Sequence, residues 1–278
     1  MKRTATAYLF LAPSLFGLGV FITIPFIDVV RRSFMDTFGQ QFIGFQNYRS
    51  VLENDAFRLA SKNTARFIGI CVPLLLLVSL LTALSMRRIR PGGRILKTIY
   101  LLPMALPVAS IVLLWQALFH KQGLINAALV HFGHSPVGFM ETGNAFWVLI
   151  LTYLWKNNGY NMILWLAGLD GISENLYEAA YADGAGHWQS FRYITLPGLL
   201  PTLFMSAVLS ILNAFKVFRE AYLVAGNYPD DSIYLLQHLI NNWFVDLDIG
   251  RLCAAAVLIA IVLLSIILAA QRIWNREE

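Results

Sequence analysis

The feature that constrains this chain most is a series of apolar runs, each long enough to cross a lipid bilayer. Six such runs occur along the 278 residues: Tyr8–Ile27, Phe67–Met86, Thr98–Phe119, Ala145–Leu169, Leu199–Tyr222 and Leu252–Ala270. A helix that spans the hydrocarbon core needs about 20 mostly apolar residues. Because lipid offers no hydrogen-bond partners, each run is expected to be helical. The sequence therefore predicts an all-α membrane protein with six transmembrane helices, in one transmembrane domain that covers residues 1–278.

The overall composition agrees with lipid as the solvent. Hydrophobic residues make up 58% of the chain and charged residues only 13%, whereas about a quarter of the residues in a soluble domain are charged. The net charge of +5 comes without a basic run interleaved with aromatic residues, so we attribute it to membrane topology and not to nucleic-acid binding. Cys71 and Cys253 both lie in apolar runs and are expected to be small core residues, not disulfide or metal sites.

The first apolar run follows the basic residues MKR, as the core of a secretory signal does. Signal cores are usually about 7–15 residues long and are followed by a small-residue cleavage site. The run at Tyr8–Ile27 is longer than that, and IDVVRRSF follows it. We therefore expect an uncleaved transmembrane helix.

The orientation in the membrane is predicted from basic residues in the short loops, which favour the cytoplasmic side. The loop between the second and third runs contains no acid and five basic residues, namely Arg87, Arg88, Arg90, Arg94 and Lys97. Six crossings then put both termini in the cytoplasm, in agreement with Lys2, Arg3, Arg272 and Arg276. Arg31 and Arg32 follow the first run on its predicted external side and therefore oppose this orientation. They are two residues against the five of the basic loop.

A polar stretch, EAAYADGAGHWQSFRYITLPGLLP at Glu178–Pro201, separates the fourth and fifth runs and is predicted to be cytoplasmic. Ser173 or Asn175 can cap a helix that runs into it. Asp183-Gly184 indicates a turn, since glycine reaches backbone angles closed to other residues. A second short helix at HWQSFRY completes a helix–turn–helix elbow. From this local pattern alone, a simple connector remains an alternative to a docking surface.

The spacing within this stretch resembles the cytoplasmic signature of ABC-importer permeases. The matching positions are Glu178-Ala179-Ala180, Asp183-Gly184-Ala185, Phe191, Ile194, Leu196-Pro197 and Pro201. The chain also resembles the carbohydrate-uptake branch of that family, the maltose and glycerol-phosphate importer type. This second resemblance rests on FIGFQNY at Phe42–Tyr48 and LAGLDGISENLYEAA at Leu166–Ala180.

The resemblance implies a type I ABC-importer permease bundle with a coupling helix in the loop at about 173–198. In that family the signature docks on a separate ATPase, so the coupling residues are expected to be Glu178, Ala179, Ala180, Asp183, Gly184 and Ala185. The implied partners are a second permease subunit, expected to be a different chain, two copies of an ABC ATPase, and an external solute-binding protein. ATP and Mg would be held by the ATPase subunits, and the complex would lie in a bacterial or archaeal cytoplasmic membrane.

The residues themselves predict neither an enzyme nor a metal site. The closest approach to a phosphate-binding P-loop is GGRILKT at Gly92–Thr98, where Leu96 stands in place of the second glycine that the motif requires. The five histidines lack metal-site spacing, and we expect them to be loop or interface residues: His120, His131, His134, His187 and His238. No catalytic residue, metal ligand or cofactor site is therefore predicted.

Polar side chains at membrane depth usually face an interior cavity or a partner, because exposure to lipid is costly. They define the predicted substrate path, which comprises Tyr153, Lys156, Asn157, Asn158 and Asn161 in the fourth run, and Ser206, Ser210, Asn213, Lys216, Val217 and Glu220 in the fifth. The fourth run is expected to loosen at Gly159, and Lys216 and Glu220 are spaced as an i,i+4 pair. Contact with the second permease is the alternative role for these side chains.

Amides, hydroxyls and aromatic rings suit a neutral polyol, whereas Lys156, Lys216 and Arg219 also suit an anionic solute such as a sugar phosphate. The predicted function is therefore that of an ABC-importer permease subunit that translocates a sugar, oligosaccharide or related polyol. A permease for amino acids, polyamines or oxyanions is one alternative. An ion-coupled secondary transporter is another, although we find neither an inverted repeat nor a lone acid in the core of a run.

Overall fold

The computed structural model describes residues 2–88 and 93–274 of the chain. Within those ranges the regular structure is helical and no β-strand forms, which confirms the predicted all-α class. Residues 89–92, and with them Arg90 of the predicted cytoplasmic loop, lie outside the described residues, as does Arg276 near the C-terminus.

The described part of the chain forms fifteen α-helices. In chain order these are α1 (Lys2–Leu18), α2 (Ile24–Arg32), α3 (Gln46–Glu53), α4 (Asp55–Arg88), α5 (Gly93–Ala105), α6 (Val108–Phe119), α7 (Leu124–His131), α8 (Ala145–Asp170), α9 (Glu174–Ala182), α10 (His187–Ser190), α11 (Leu196–Gly198), α12 (Leu200–Ala214), α13 (Phe218–Ala225), α14 (Leu236–Val245) and α15 (Ile249–Trp274). Single π-helical turns at Gly19–Thr23 and Phe191–Thr195 join α1 to α2 and α10 to α11. A 3₁₀ turn at Phe215–Val217 joins α12 to α13.

Five helical segments are long and apolar enough to cross a membrane. In the described part of the chain they are Phe10–Arg32, Asp55–Arg87, Val108–His131, Leu200–Ala225 and Ile249–Arg272. Helix α8, which covers the predicted fourth span, is 26 residues long but is not among them. Its centre contains Lys156 and the amides of Asn157, Asn158 and Asn161, which reduce its apolar character.

The third predicted span is interrupted, and the expectation of one continuous helix over Thr98–Phe119 was wrong. Helix α5 ends at Ala105 and α6 begins at Val108. Pro107 lacks a backbone N–H and disfavours helical angles at the residue before it, Leu106. The apolar segment that the structure forms instead runs from Val108 to His131.

The described residues group into two compact units. The first consists of those of 1–58 with 239–268, and the second of those of 59–238 with 269–278.

In the first unit, the FIGFQNY segment is fixed by its asparagine. The Asn47 amide donates to the carbonyls of Ser33 at 3.0 Å and Met35 at 2.8 Å. The Tyr48 hydroxyl lies 2.7 Å from the Ser33 hydroxyl. These bonds give Asn47 and Tyr48 a structural role in this unit.

The second unit has two apolar cores, and α8 contributes to both. The first core includes Phe67, Trp115, Phe146 and Leu149, and the second includes Trp165 and Leu169. Helix α8 packs closely on α5, α12 also contacts α8, and α13 packs on α6. These contacts bring the polar residues of α8 and of the α12–α13 segment to one place.

Gly159 marks the closest approach of α5 to α8. A Cβ atom at this position would overlap the backbone carbonyl group of Tyr100. Helix α8 runs through Gly159 without interruption, so the expected loosening of the helix was wrong. The glycine serves close helix packing and not a break.

Candidate functional site

The predicted coupling loop forms a helical elbow in the second unit. Helix α9 begins after Ser173, whose side chain makes no capping hydrogen bond. After the turn, α10 and the π-helical turn at Phe191–Thr195 lead into α11. The helix–turn–helix arrangement predicted from the sequence is therefore present, with Asn175 inside α9 and not at its cap.

The turn of the elbow is built around Gly184, which has a φ of +84°. Its N–H donates to the carbonyl of Tyr181 at 3.1 Å, and the N–H of Ala185 donates to the carbonyl of Ala180 at 2.8 Å. This pair of bonds is the Schellman motif, in which a left-handed residue ends a helix and satisfies its last carbonyls. Because residues with a side chain rarely adopt a positive φ, the turn favours glycine at this position.

The signature residues present a surface with small and acidic side chains. Glu178, Ala179, Asp183 and Gly184 are exposed, and Ala180 and Ala185 are half-buried. A Cβ atom on Gly184 would meet nothing within 4 Å. A partner surface can therefore approach this part of the backbone closely, and both carboxylates are free to accept charge-assisted hydrogen bonds.

Two contacts that the sequence analysis missed fix the base of the elbow. The Tyr177 hydroxyl lies 2.9 Å from the Thr195 hydroxyl, which joins α9 to the π-helical turn. The guanidinium of Arg87, at the end of α4, lies over the Tyr177 ring at 5.6 Å, within the range of a cation–π contact. Nothing in the local sequence pairs these residues, because they come from three separate elements.

A second cluster surrounds a cavity of about 200 Å³, here called the Lys156 cavity. Seven of the eleven residues of the predicted substrate path line it: Tyr153, Lys156, Asn157, Asn213, Lys216, Val217 and Glu220. Met104 and Thr152 also line it and were not predicted. Met104 belongs to the last turn of α5, and its position depends on the packing of α5 on α8.

The polar centre of the cavity is an ion pair between Lys156 of α8 and Glu220 of α13. The two side chains are 21% and 4% exposed, respectively. One carboxylate oxygen of Glu220, Oε2, is buried without a hydrogen-bond partner. A buried acceptor of this kind is costly unless a ligand or water satisfies it.

Lys216 and Glu220 do not pair with each other, although their spacing suggested it. The Lys216 ammonium instead donates to the Asn213 amide oxygen at 2.9 Å. The 3₁₀ turn at Phe215–Val217 has three residues per turn, so the i,i+4 register of an α-helix does not hold across it. Both side chains still reach the cavity.

The other four predicted path residues lie outside the cavity wall. The Ser210 hydroxyl donates to Asn161 at 3.2 Å, and the Tyr153 hydroxyl donates to the Ser210 carbonyl at 2.7 Å. Asn158 accepts from Thr82 at 3.4 Å, and Ser206 is buried. Asn158, Asn161 and Ser210 therefore join helices within this chain.

The comparison with known families decides what kind of protein has these features. A model of the binding-protein-dependent transport system inner membrane component matches residues 75–276, which include the elbow and the Lys156 cavity. This chain belongs to that family.

Relatives and solved structures agree with this membership. The permease is 30% identical over 270 residues to a trehalose/maltose transport system permease protein of Thermococcus litoralis, across 95% of this chain and 92% of the relative. It is 32% identical over 260 residues to a sulfoquinovosyl glycerol transport system permease protein of Agrobacterium fabrum, across 89% and 84%. Its fold matches a chain of a bacterial ABC transporter that imports the acidic polysaccharide alginate, with a TM-score of 0.84, 25% identity and coverage of 99% and 96%.

For a transport component, the two clusters of this permease have different chemistry. The elbow offers a surface for a protein partner, and the Lys156 cavity offers hydrogen-bonding groups to a small solute. Among the described residues, no group of three or more His, Cys, Asp and Glu side chains is arranged to hold a metal ion.

Proposed function

We propose that this chain is a membrane subunit of an ATP-driven importer that moves a carbohydrate into the cell. The observation that supports this most directly is the exposed elbow at Glu178–Ala185, with small side chains and a fixed left-handed turn at Gly184. A transport subunit that presents such a surface is suited to receive motion from a separate motor. The chain then has no chemical step of its own, and binding and hydrolysis of ATP with Mg occur on partner subunits.

The complete importer on this proposal contains four other subunits. These are a second permease, two copies of an ABC ATPase, and a solute-binding protein outside the membrane. In this arrangement Glu178, Asp183 and the alanines around them contact the ATPase, and Gly184 allows the close approach. The requirement for a binding protein is consistent with the description of the family.

The proposed topology has six spans and both termini in the cytoplasm. Helix α8 is the sixth span, in addition to the five strongly apolar segments. Lys156 and Asn157 face the Lys156 cavity, and Asn158 and Asn161 are buried against other helices of the chain. The lysine and amides of α8 therefore need not meet lipid. The elbow that follows α8 is then cytoplasmic, where the ATPase is.

A carbohydrate is the solute class that the Lys156 cavity favours. Tyr153, Asn157 and Asn213 provide an aromatic ring and two amides, and the buried Oε2 of Glu220 lacks a donor. Sugar hydroxyls can donate to such a carboxylate and accept from the neighbouring ammonium and amide groups. The similarity to relatives described as carrying trehalose or maltose and sulfoquinovosyl glycerol supports this class.

An acidic sugar is a second candidate, and one observation favours it. The cavity contains two ammonium groups, those of Lys156 and Lys216, against the single carboxylate of Glu220. The excess positive charge would stabilise an anionic solute. The fold is also that of a transporter described as importing acidic alginate.

The test is uptake of radiolabelled solutes by cells that contain or lack this chain. The panel is maltose, trehalose and lactose as neutral sugars, an oligogalacturonate as an acidic one, and histidine as a non-sugar. We expect deletion of the chain to abolish uptake of at least one sugar, and an Asn213→Ala variant to reduce it. Asn158→Ala is the matched control, since Asn158 has the same side chain but lies outside the cavity wall.

Three results separate the candidates. Loss of oligogalacturonate uptake alone favours the acidic sugar. Loss of histidine uptake alone contradicts the carbohydrate assignment. Uptake that stops when an uncoupler removes the ion gradient, while cellular ATP stays high, contradicts the ATP-driven importer.

A further inference from the structure

The second unit contains another concavity that the proposed substrate path does not include. It has a volume of about 490 Å³, more than twice the 200 Å³ of the Lys156 cavity. Its walls come from the end of α6 with the turn after it, from residues 138–141, and from the end of α13 with residues 228–230. We call it the Trp115 recess, after the buried indole that forms part of its wall. Small-molecule sites typically have volumes of about 300–1,000 Å³.

One wall of the recess is held rigidly by a buried asparagine. The Asn126 side chain is 1% exposed, and its amide nitrogen donates to the carbonyls of His120 at 3.0 Å and Val137 at 2.9 Å. Its oxygen accepts from the N–H of Val137 at 2.8 Å. The rings of Phe119 and Phe139 meet edge to face at 5.6 Å. The turn after α6 and the segment at 138–141 are therefore fixed relative to each other.

The opposite wall is fixed from α4. The Asn63 amide donates to the carbonyls of Asp231 at 2.5 Å and Tyr234 at 3.0 Å. Just before them, one carboxylate oxygen of Asp230 accepts from the N–H of Ser232 at 3.0 Å. The segment at 230–234, which includes the 3₁₀ turn at Asp231–Ile233, thus has a defined shape. A concavity between two fixed walls is pre-organised, which lowers the entropic cost of binding.

The chemistry of the walls suits a neutral carbohydrate. Phe139 and Tyr228 supply aromatic surface, and Gln116 supplies an amide. Three charged groups lie at the rim: Lys121 and Glu141, paired at 2.5 Å, and Asp230. Two carboxylates against one ammonium give this rim an excess of negative charge, opposite in sign to the Lys156 cavity. An anionic sugar is therefore disfavoured here, whereas sugar hydroxyls can donate to the carboxylates.

The recess and the Lys156 cavity lie one after the other along α13. Glu220 lines the Lys156 cavity, and Val224 lines the Trp115 recess. Residues four apart share a face of a helix, and the rise between them is about 6 Å. The two lining residues, and with them the two cavities, are therefore about one helical turn apart along α13.

We propose that the Trp115 recess is a second carbohydrate site, which holds a neutral sugar before it moves one helical turn along α13 to the Lys156 cavity. This inference rests on the proposed function, because it assumes that the solute is a carbohydrate. It narrows the substrate class to neutral sugars, and in the proposed topology the recess opens to the outside of the cell.

The test is thiol protection in spheroplasts that contain the whole importer but have lost the binding protein. Tyr228→Cys puts a thiol on an exposed wall residue of the recess, and the native thiols of Cys71 and Cys253 are buried. We expect maltose, trehalose or lactose to slow labelling by a membrane-impermeant maleimide, about twofold when the sugar equals its dissociation constant. Phe132→Cys is the control, since Phe132 is exposed but does not line the recess.

A blocking variant links protection to the recess itself. A Cβ atom on Gly138 would approach the Glu141 carboxylate at 3.2 Å, so Gly138→Leu puts its side chain against the pair at the rim. We expect this variant to abolish protection of Tyr228→Cys. Gly143→Leu is the matched control, because Gly143 has open surroundings.

The outcomes distinguish this inference from the proposed function. If a neutral sugar is taken up by the cells but protects neither Tyr228→Cys nor its Gly143→Leu form, the recess is not a sugar site. Equal protection of Phe132→Cys overturns the inference in the same way. If deletion of the chain affects no sugar at all, the carbohydrate function itself fails, and the inference fails with it.

Discussion

Gly184 shows how one residue can combine two requirements. Its φ of +84° requires a residue that tolerates the left-handed region, and its lack of a side chain leaves the turn open on the exposed side. For most residues the left-handed conformation costs about 1–2 kcal/mol, whereas asparagine and aspartate adopt it more readily. Substitutions can therefore separate the shape of the turn from access to its surface.

We predict that Gly184→Asp and Gly184→Asn both abolish most uptake while the permease stays in the membrane at normal levels. Both side chains fit the turn but obstruct the docking surface, so ATP hydrolysis should continue without transport. Uptake per permease and ATPase activity in membrane vesicles are the measurements. Gly186→Ala is the control, because Gly186 has an ordinary φ of −74°. Normal uptake by Gly184→Asp at normal expression would contradict the coupling role.

The ion pair of Lys156 and Glu220 makes a second prediction at this scale. Removal of one member, as in Lys156→Met, leaves an uncompensated buried charge, which typically costs about 3–5 kcal/mol. We expect Lys156→Met and Glu220→Gln each to lower thermal stability in detergent strongly, and the double variant to lose much less than the sum. Lys216→Met should have little effect, since Lys216 is exposed. Additive losses in the double variant would show that the pair is not coupled.

At the scale of the elements, close packing decides which helices meet. Helix α8 contacts α5 where Gly159 faces the backbone of Tyr100, and no side chain fits there. Helix α4 contains a glycine with open space around it, since a Cβ atom on Gly69 would meet nothing within 4 Å. The two glycines have similar helical settings and differ mainly in their neighbours.

We predict opposite effects of alanine at these two positions. Gly159→Ala should force α5 away from α8 and lower thermal stability in detergent, with a cost of about 1–3 kcal/mol. Gly69→Ala should be neutral or stabilising by up to about 1 kcal/mol, because alanine favours the helix and meets no obstacle. Thermal unfolding of the two purified variants beside the wild type tests this. Equal stability of both variants would contradict the packing role of Gly159.

Pro107 also acts at the scale of the elements, because it separates α5 from α6. The apolar run Thr98–Phe119 is long enough to span a membrane as one helix, yet its centre is a break between α5 and α6. The break allows the last turn of α5 to bring Met104 to the Lys156 cavity, and α6 to bring Trp115 to the recess. If Thr98–Phe119 were a single straight helix, Met104 and Trp115 would be rotated differently about the helix axis relative to each other.

For the whole molecule, the proposed topology predicts which loops are accessible from each side of the membrane. Ser173 and His134 are both exposed, the former before the elbow and the latter after α7. In spheroplasts we expect a membrane-impermeant maleimide to label His134→Cys at once, and Ser173→Cys only after the membrane is permeabilised. The buried native cysteines limit background labelling. Labelling of Ser173→Cys in sealed spheroplasts would contradict a cytoplasmic elbow.

Much of the fold follows from local properties and was therefore predictable. Lipid forces long apolar runs into helices whatever their neighbours are, and the all-α class follows from that rule. The stop at Gly184 depends on three or four consecutive residues, and the structure confirms it as a Schellman turn. The resemblance of Glu178–Pro201 to a permease signature was also sufficient to predict the family that the comparison identifies.

The sequence by itself determined the all-α class, the elbow and the family, because each of these depends on residues close together in the chain. The tertiary structure alone decided that Lys156 pairs with Glu220, that Gly159 meets Tyr100, and that Asn126 and Asn63 hold two walls of a recess. The physical reason is the rotation of each helix about its axis. Which side chains meet depends on how whole faces pack, and a 3₁₀ turn or a proline changes that rotation within a few residues.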